Sequence, residues 1–170
     1  MLSAAVATFV APLAFAPAHA VPRHVHPTTL SAGTVLVEMN AVRAAHSLPP
    51  LRLSWQLSAA AGQHSREMGE RGYFEHSSFD GTSYWKRVDR YYSSRGYRYW
   101  RVGENMLWWS ATLTPSAAVT MWMNSPPHRR NLLDRYWREV GLSVRRFLAA
   151  PGVFRGLAVT IVTADFGVRY

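Results

Sequence analysis

Two β-rich segments, residues 139–144 and 157–166, dominate the last third of the chain, and the turn signal Ala150-Pro151-Gly152 stands between them. Dense Val, Leu, Thr and Phe bounded by Pro and Gly read as strands, and the short link predicts an antiparallel pair. Two strands cannot bury their own apolar faces, so the rest of the chain must cover them. Val35, Leu36, Met39 and Val42 recur at helical spacing before Pro49 and Pro50. Ser54 is a good N-cap, and Leu57, Ala60, Ala61, His64 and Met68 then share one stripe as far as Gly72.

Residues 84–92 read as a short helix that Gly96 ends. In residues 97–109 the first half alternates, with Arg98, Trp100 and Val102 on one side and Tyr97, Tyr99 and Arg101 on the other, which predicts a strand running into Gly103-Glu104-Asn105. Thr114 with Pro115 opens a helix through Ala118, Val119, Met121 and Trp122. Pro126 and Pro127 should stop it by about Asn124 or Ser125, leaving His128 just past a rigid corner and residues 131–134 as one further turn. Helices on either side of a small, mostly antiparallel sheet satisfy this order, an α/β (α+β) fold with no internal repeat and no second domain.

The first twenty residues carry no charge, hold an apolar run from Ala4 to Ala16 and end in Ala18-His19-Ala20. They read as a secretory signal peptide with an A-x-A site, although a basic n-region is missing, and we expect export and cleavage near Ala20. The apolar run is short for a membrane span, and no later window is apolar enough for one. Residues 21–32 read as a disordered linker, in which His24 and His26 are able to catch a metal adventitiously. A domain over residues 33–170 is large enough to bury a core without staples. The absence of cysteine agrees with that, removes thiol catalysis and thiolate zinc sites, and leaves the redox compartment open.

The net charge of +9 is carried almost wholly by arginine, with Lys86 the lone lysine, and the pI is near 10.6. Such a surface is drawn non-specifically to anionic polymers, membranes and cell-wall polyanions, or is simply a solvated basic face. Tyr, Trp and Arg interleave from Tyr84 to Arg101, but no nucleic-acid motif accompanies the charge, so specific nucleic-acid binding is not expected.

Hydrolase elbows, phosphate loops and H-E-x-x-H are absent. What remains is a set of polar residues at element ends: His76, Glu104 and His128, with Ser125, Arg129 and Asp165 as candidates to support them from behind. Two imidazoles and a carboxylate suit zinc or another divalent metal, with room for water. Their spacing alone does not bring them together. The alternative has Glu104 paired with an arginine or with backbone donors, and His128 satisfied by a carbonyl. His64, on a buried stripe, reads as a hydrogen-bonded core residue.

Asn40 with Arg43, residues 53–68, Gly72-Tyr73-Phe74-Glu75-His76, Gly103-Glu104-Asn105, Trp122 to Leu133, Val140-Gly141 and Thr163 to Gly167 occur in an order that resembles the CAP superfamily. That superfamily groups cysteine-rich secretory proteins, antigen five and plant pathogenesis-related proteins of group one, and this chain is most similar to its cysteine-free bacterial branch. The resemblance covers residues 33 to 168 and implies a three-layer α-β-α sandwich with a surface cleft, where family members gather two histidines and acidic residues, in some cases around a divalent metal such as zinc. His76 matches the histidine of the F-x-H element, Glu104 the glutamate of the GEN element and His128 the second histidine, so the proline corner would fix His128 opposite His76. Many eukaryotic members add a glutamate three residues after the tryptophan matching Trp122, where this chain has Ser125.

With Glu104 as the lone evident carboxylate, hydrolysis lacks an evident general base; Asp165 is a candidate for one, although a salt bridge to Arg129 is its expected role. We therefore expect a secreted or cell-envelope protein whose cleft binds a ligand or, weakly, a divalent metal such as zinc, rather than an enzyme. A metal-dependent hydrolase and a lipid or sterol carrier stay open as alternatives, and the partner is an unidentified small ligand, lipid or envelope component.

Overall fold

The structure, a computed structural model, describes residues 29–170. The expected signal peptide, His24, His26 and most of the expected linker lie outside the described residues. Helix α1 (Ala32–Ala45) opens on a reciprocal cap, in which Ser31 Oγ accepts from the Thr34 amide at 3.2 Å and Thr34 Oγ1 accepts from the Ser31 amide at 2.9 Å. A two-residue strand β1 (Arg52–Leu53), helix α2 (Trp55–Arg71) capped by Ser54, and the short α3 (Tyr84–Asp89) follow. Then come strand β2 (Trp100–Trp109), helices α4 (Pro115–Asn124) and α5 (Pro126–Leu132), strand β3 (Glu139–Ala150), a 3-10 turn at Gly152–Phe154, and strand β4 (Leu157–Arg169).

The sheet order is β1-β3-β4-β2, with β1 parallel to β3 and the other pairs antiparallel. Three layers result, an α-β-α sandwich of the expected class. Inward residues of β4 alternate. Val162, Ala164 and Phe166 pack with Val35 and Met39 of α1, Val119 and Trp122 of α4, and Leu132 of α5. Val159 and Ile161 meet Met68 of α2, while Leu57 and Ala60 of α2 close on Val88 and Tyr92 of the α3 region. Each Val, Leu, Ile, Phe or Met among them, fully buried, stabilises the fold by about 1.5–3 kcal/mol. At Gly141 a Cβ would lie 1.9 Å from the Leu57 carbonyl carbon, so α2 rests its backbone directly on β3. No helix among the described residues is long and apolar enough to cross a membrane.

Three elements differ from the sequence expectation. Pro126 and Pro127 end α4, but they also occupy the first positions of α5, where a missing N–H costs nothing, so His128 lies within a helix rather than beyond a bare corner. Strand β3 runs past Val144 to Ala150 through exposed Arg145, Arg146 and Leu148, a stretch whose polarity conceals its pairing with β4. Strand β1 escaped notice because two exposed residues carry no alternation.

Candidate functional site

The motif Gly103-Glu104-Asn105 works because β2 turns successive side chains to opposite faces of the sheet. Gly103 allows a close approach: a Cβ there would sit 2.9 Å from the Trp137 ring and 3.1 Å from Asn131 Oδ1. Asn105 faces α5, where its Nδ2 donates to the His128 carbonyl at 2.9 Å and its Oδ1 accepts from Asn131 Nδ2 at 3.1 Å. Asn131 Nδ2 also donates to the Glu104 carbonyl at 3.1 Å, and Trp137 Nε1 donates to the Asn131 carbonyl at 2.9 Å. His128 is therefore held by an asparagine clamp on β2 as well as by the prolines that start its helix.

Glu104 faces the other way, towards α3, and its side chain is 1% exposed. His76 Nδ1 lies 2.7 Å from its Oε1, and the Arg87 guanidinium, equally buried, donates to its Oε2. Because a carboxylate only accepts, a neutral His76 carries its hydrogen on Nδ1 and turns Nε2 outward. Arg87 donates again to the His76 carbonyl at 3.0 Å and to Ser78 Oγ at 3.3 Å, so one guanidinium fixes both the loop and the carboxylate. His64 Nε2 donates to the Glu75 carbonyl at 2.9 Å and steadies the same loop from α2. The His76 side chain stays 52% exposed, with the Tyr84 ring 6.2 Å from its own.

Burial pushes the Glu104 carboxyl up, but the hydrogen bond from His76 and the charge of Arg87 outweigh it and hold the group below its ordinary value. Asp165 lies directly across the β2–β4 pair from Glu104, wholly buried. Burial and then the Glu104 charge raise it well above the usual carboxylate range, with Arg87 opposing, and neither of its oxygens has a hydrogen-bond partner among the described residues. Of the two carboxyls, Glu104 is the ionised one. Burial likewise lowers His64 to about 4. His128 is lowered by burial and then by the charge of His76, so the two imidazoles feel one another.

Of the residues singled out in the sequence, His76 and Glu104 are thus in contact and His128 is within electrostatic reach of His76. The remaining three are scattered. Ser125 is the half-buried residue between α4 and α5 and makes no side-chain cap. Arg129 is exposed beside Leu133 and Asp134. The expected Arg129–Asp165 salt bridge does not form, because Asp165 faces the α2–α3 layer and Arg129 sits on a helix of the opposite layer. Arg87 takes the arginine's part beside the carboxylates. Sequence reasoning missed Arg87 because nothing in its spacing distinguishes it from the other arginines, and it missed Asn131 although that residue ends the Pro-Pro-His run.

Among the described residues no three His, Asp or Glu side chains converge closely enough to hold a metal ion. Both Glu104 oxygens are already taken. What the site can offer an ion or an organic ligand is the pair of imidazoles, with Glu104 and Arg87 orienting one of them.

Residues 36–147 match the family model described as the cysteine-rich secretory protein family, CAP. The chain is 34% identical over 103 residues to YkwD of Bacillus subtilis, itself described as uncharacterized, an alignment over 61% of this chain and 38% of that protein. A Bacillus anthracis extracellular protein containing an SCP domain superposes with a TM-score of 0.60 at 27% identity, over 79% of this chain and 39% of the other. An outer surface protein of Borrelia burgdorferi shares the fold with a TM-score of 0.59 at 21% identity, over 81% and 92%. The matched region spans well under half of the two Bacillus proteins. With the ordered motifs, the α-β-α sandwich and a family model covering most of the described domain, the chain belongs to the cysteine-rich secretory protein (CAP) family.

Proposed function

We propose that this chain is an exported CAP domain, acting outside the cell or at its envelope, whose cleft presents His76 Nε2 and His128 to a ligand and holds a divalent metal such as zinc between them. The observation that carries the reading is the His76–Glu104–Arg87 chain, which fixes a half-exposed imidazole with its unprotonated nitrogen outward. A buried carboxylate behind a ligating histidine is the usual device for fixing its tautomer and raising its basicity. Glu104, expected as a third ligand, serves here as that partner. A bound metal would supply Lewis-acid positions open to water or to an organic donor. Export is supported by the uncharged leader and by the extracellular and outer-surface proteins that share the fold.

Binding is favoured over hydrolysis because both Glu104 oxygens are engaged and Asp165 is sealed in the interior, so neither of these two carboxyls is placed to take a proton from water. Calorimetric titration of zinc into the full chain carrying His24→Ala and His26→Ala tests the reading. One ion per chain is expected, with binding abolished by His76→Ala or His128→Ala and weakened about 10–100-fold by Glu104→Gln. Binding that persists in the His76→Ala variant would contradict it.

A further inference from the structure

A second concavity lies at the end of the sheet where β1 and β3 begin and β4 finishes, on surface that the histidine cleft does not use. It encloses about 580 Å³, a volume suited to a ligand of one or two rings. Three arginines, Arg52, Arg138 and Arg169, and three tyrosines, Tyr99, Tyr136 and Tyr170, line it. Arg169 is committed to the fold: it donates to the Ser93 carbonyl at 2.9 Å and to Gln56 Oε1 at 2.8 Å, and its guanidinium lies 3.8 Å from the centre of the Tyr92 ring. Arg138 uses one nitrogen, Nη1, on the backbone carbonyls of residues 135–137, which aims the rest of its fork. Arg52 is exposed, with no side-chain hydrogen bond or ion pair among the described residues, and is free to meet a ligand.

Charge alone would suit any anion. Glu139, in the same wall, narrows the choice. Its Oε2 accepts from Tyr92 at 2.6 Å, and its Oε1 takes no side-chain hydrogen bond among the described residues. That oxygen repels a phosphate or carboxylate but accepts from a hydroxyl. The ligand must therefore carry an anionic group for the arginines and hydroxyls for Glu139. Tyr136 and Tyr170 are exposed; the Tyr170 ring stacks on Tyr99 at 5.0 Å and the Tyr136 ring carries the Arg135 guanidinium 4.9 Å from its centre, so each has one ring face and a phenolic O–H left to suit the C–H faces and the rim of a sugar ring. We propose that this cavity is a binding site for an anionic sugar, one bearing a phosphate or a carboxylate, independent of the histidine cleft.

Calorimetry on the full chain with glucose 6-phosphate and with glucuronate tests this, with glucose, inorganic phosphate and adenosine monophosphate as comparisons. Either anionic sugar binding in preference to glucose and to inorganic phosphate is the expected result, and the tighter of the two names the anionic group. Arg52→Ala and Arg138→Ala should each weaken that binding by about tenfold or more. Arg146→Ala, which removes the same charge from an exposed position on β3, should leave it unchanged. Arg52 is exposed and uncommitted, so its variant should fold, which far-UV circular dichroism checks. No binding of either sugar, equal binding of glucose or inorganic phosphate, tighter binding of the nucleotide, or equal losses in Arg52→Ala and Arg146→Ala would each overturn the proposal.

Discussion

The layer of α1, α4 and α5 meets the sheet through Val35, Met39, Trp122, Leu132 and Phe166, whereas the layer of α2 and α3 meets it through two apolar clusters separated by Glu104, Asp165, Arg87, His64, Ser65 and Thr163. Within that polar seam Ser65 and Thr163 satisfy each other at 2.8 Å, but the Asp165 oxygens have no hydrogen-bond partner among the described residues. A core designed only for stability would fill the seam with hydrocarbon, since a buried ion pair rarely outperforms well-packed apolar residues. One face of the sheet thus holds the domain together, and the other tolerates buried charge in order to fix the loop that carries His76.

The sharpest way to break this comparison is Glu104→Gln, which leaves the Arg87 guanidinium buried without a counter-charge. A loss of about 3–5 kcal/mol is expected in urea unfolding, comparable to the cavity made by Trp122→Ala on the apolar face. Adding Arg87→Met to Glu104→Gln should recover most of that loss. If the double variant is no more stable than the single one, the seam is not an electrostatic unit.

Acid sharpens the contrast next. His64 falls from an ordinary 6.5 to about 4 on folding, so the unfolded chain takes up its proton first. Its contribution is fully present above pH 6.5 and is lost as pH falls towards 4, a drop of about 3 kcal/mol. Glu104, held low, adds a loss only below its ordinary 4.5. Asp165 has the opposite sign: its folded value is raised, so its contribution is fully present below 3.8 and is lost as pH rises through the folded value. Asp165→Asn removes that opposing slope. Its unfolding free energy should therefore rise more steeply than that of the parent between pH 4 and 7. At pH 7 it should be more stable than the parent and melt at a higher temperature. A variant less stable than the parent at neutral pH would mean that Asp165 is ionised in the fold.

His76→Ala should have the smallest effect on stability, below about 1 kcal/mol by urea unfolding, because the ring is half exposed. A larger loss would make His76 part of the scaffold instead of the site.

Much of this fold was legible because its signals are local. Ser31, Ser54 and Thr114 announce helix starts, the 3.6-residue stripes mark α1 and α2, and the Pro-Gly turn separates β3 from β4. The double proline misled because proline carries two meanings, stopping one helix and starting the next, and only the three-dimensional path distinguishes them. The histidines and Glu104 stood out as polar residues at element ends and through the family resemblance. Arg87 did not, and Asp165 stood out but without its true neighbours, since their roles depend on which face of the sheet each side chain occupies. Asp165 was matched with Arg129 on charge alone, and the sheet lies between them.

The most direct test of the account is the tautomer of His76, read from nitrogen-15 long-range NMR correlations of the imidazole rings at neutral pH. The His76–Glu104 hydrogen bond predicts that the neutral form of the ring carries its hydrogen on Nδ1 and leaves Nε2 bare, and that Glu104→Gln converts it to the Nε2–H form or leaves it averaging between the two. A wild-type His76 that already carries its hydrogen on Nε2 would contradict the account, because the nitrogen offered to the cleft would then be a donor.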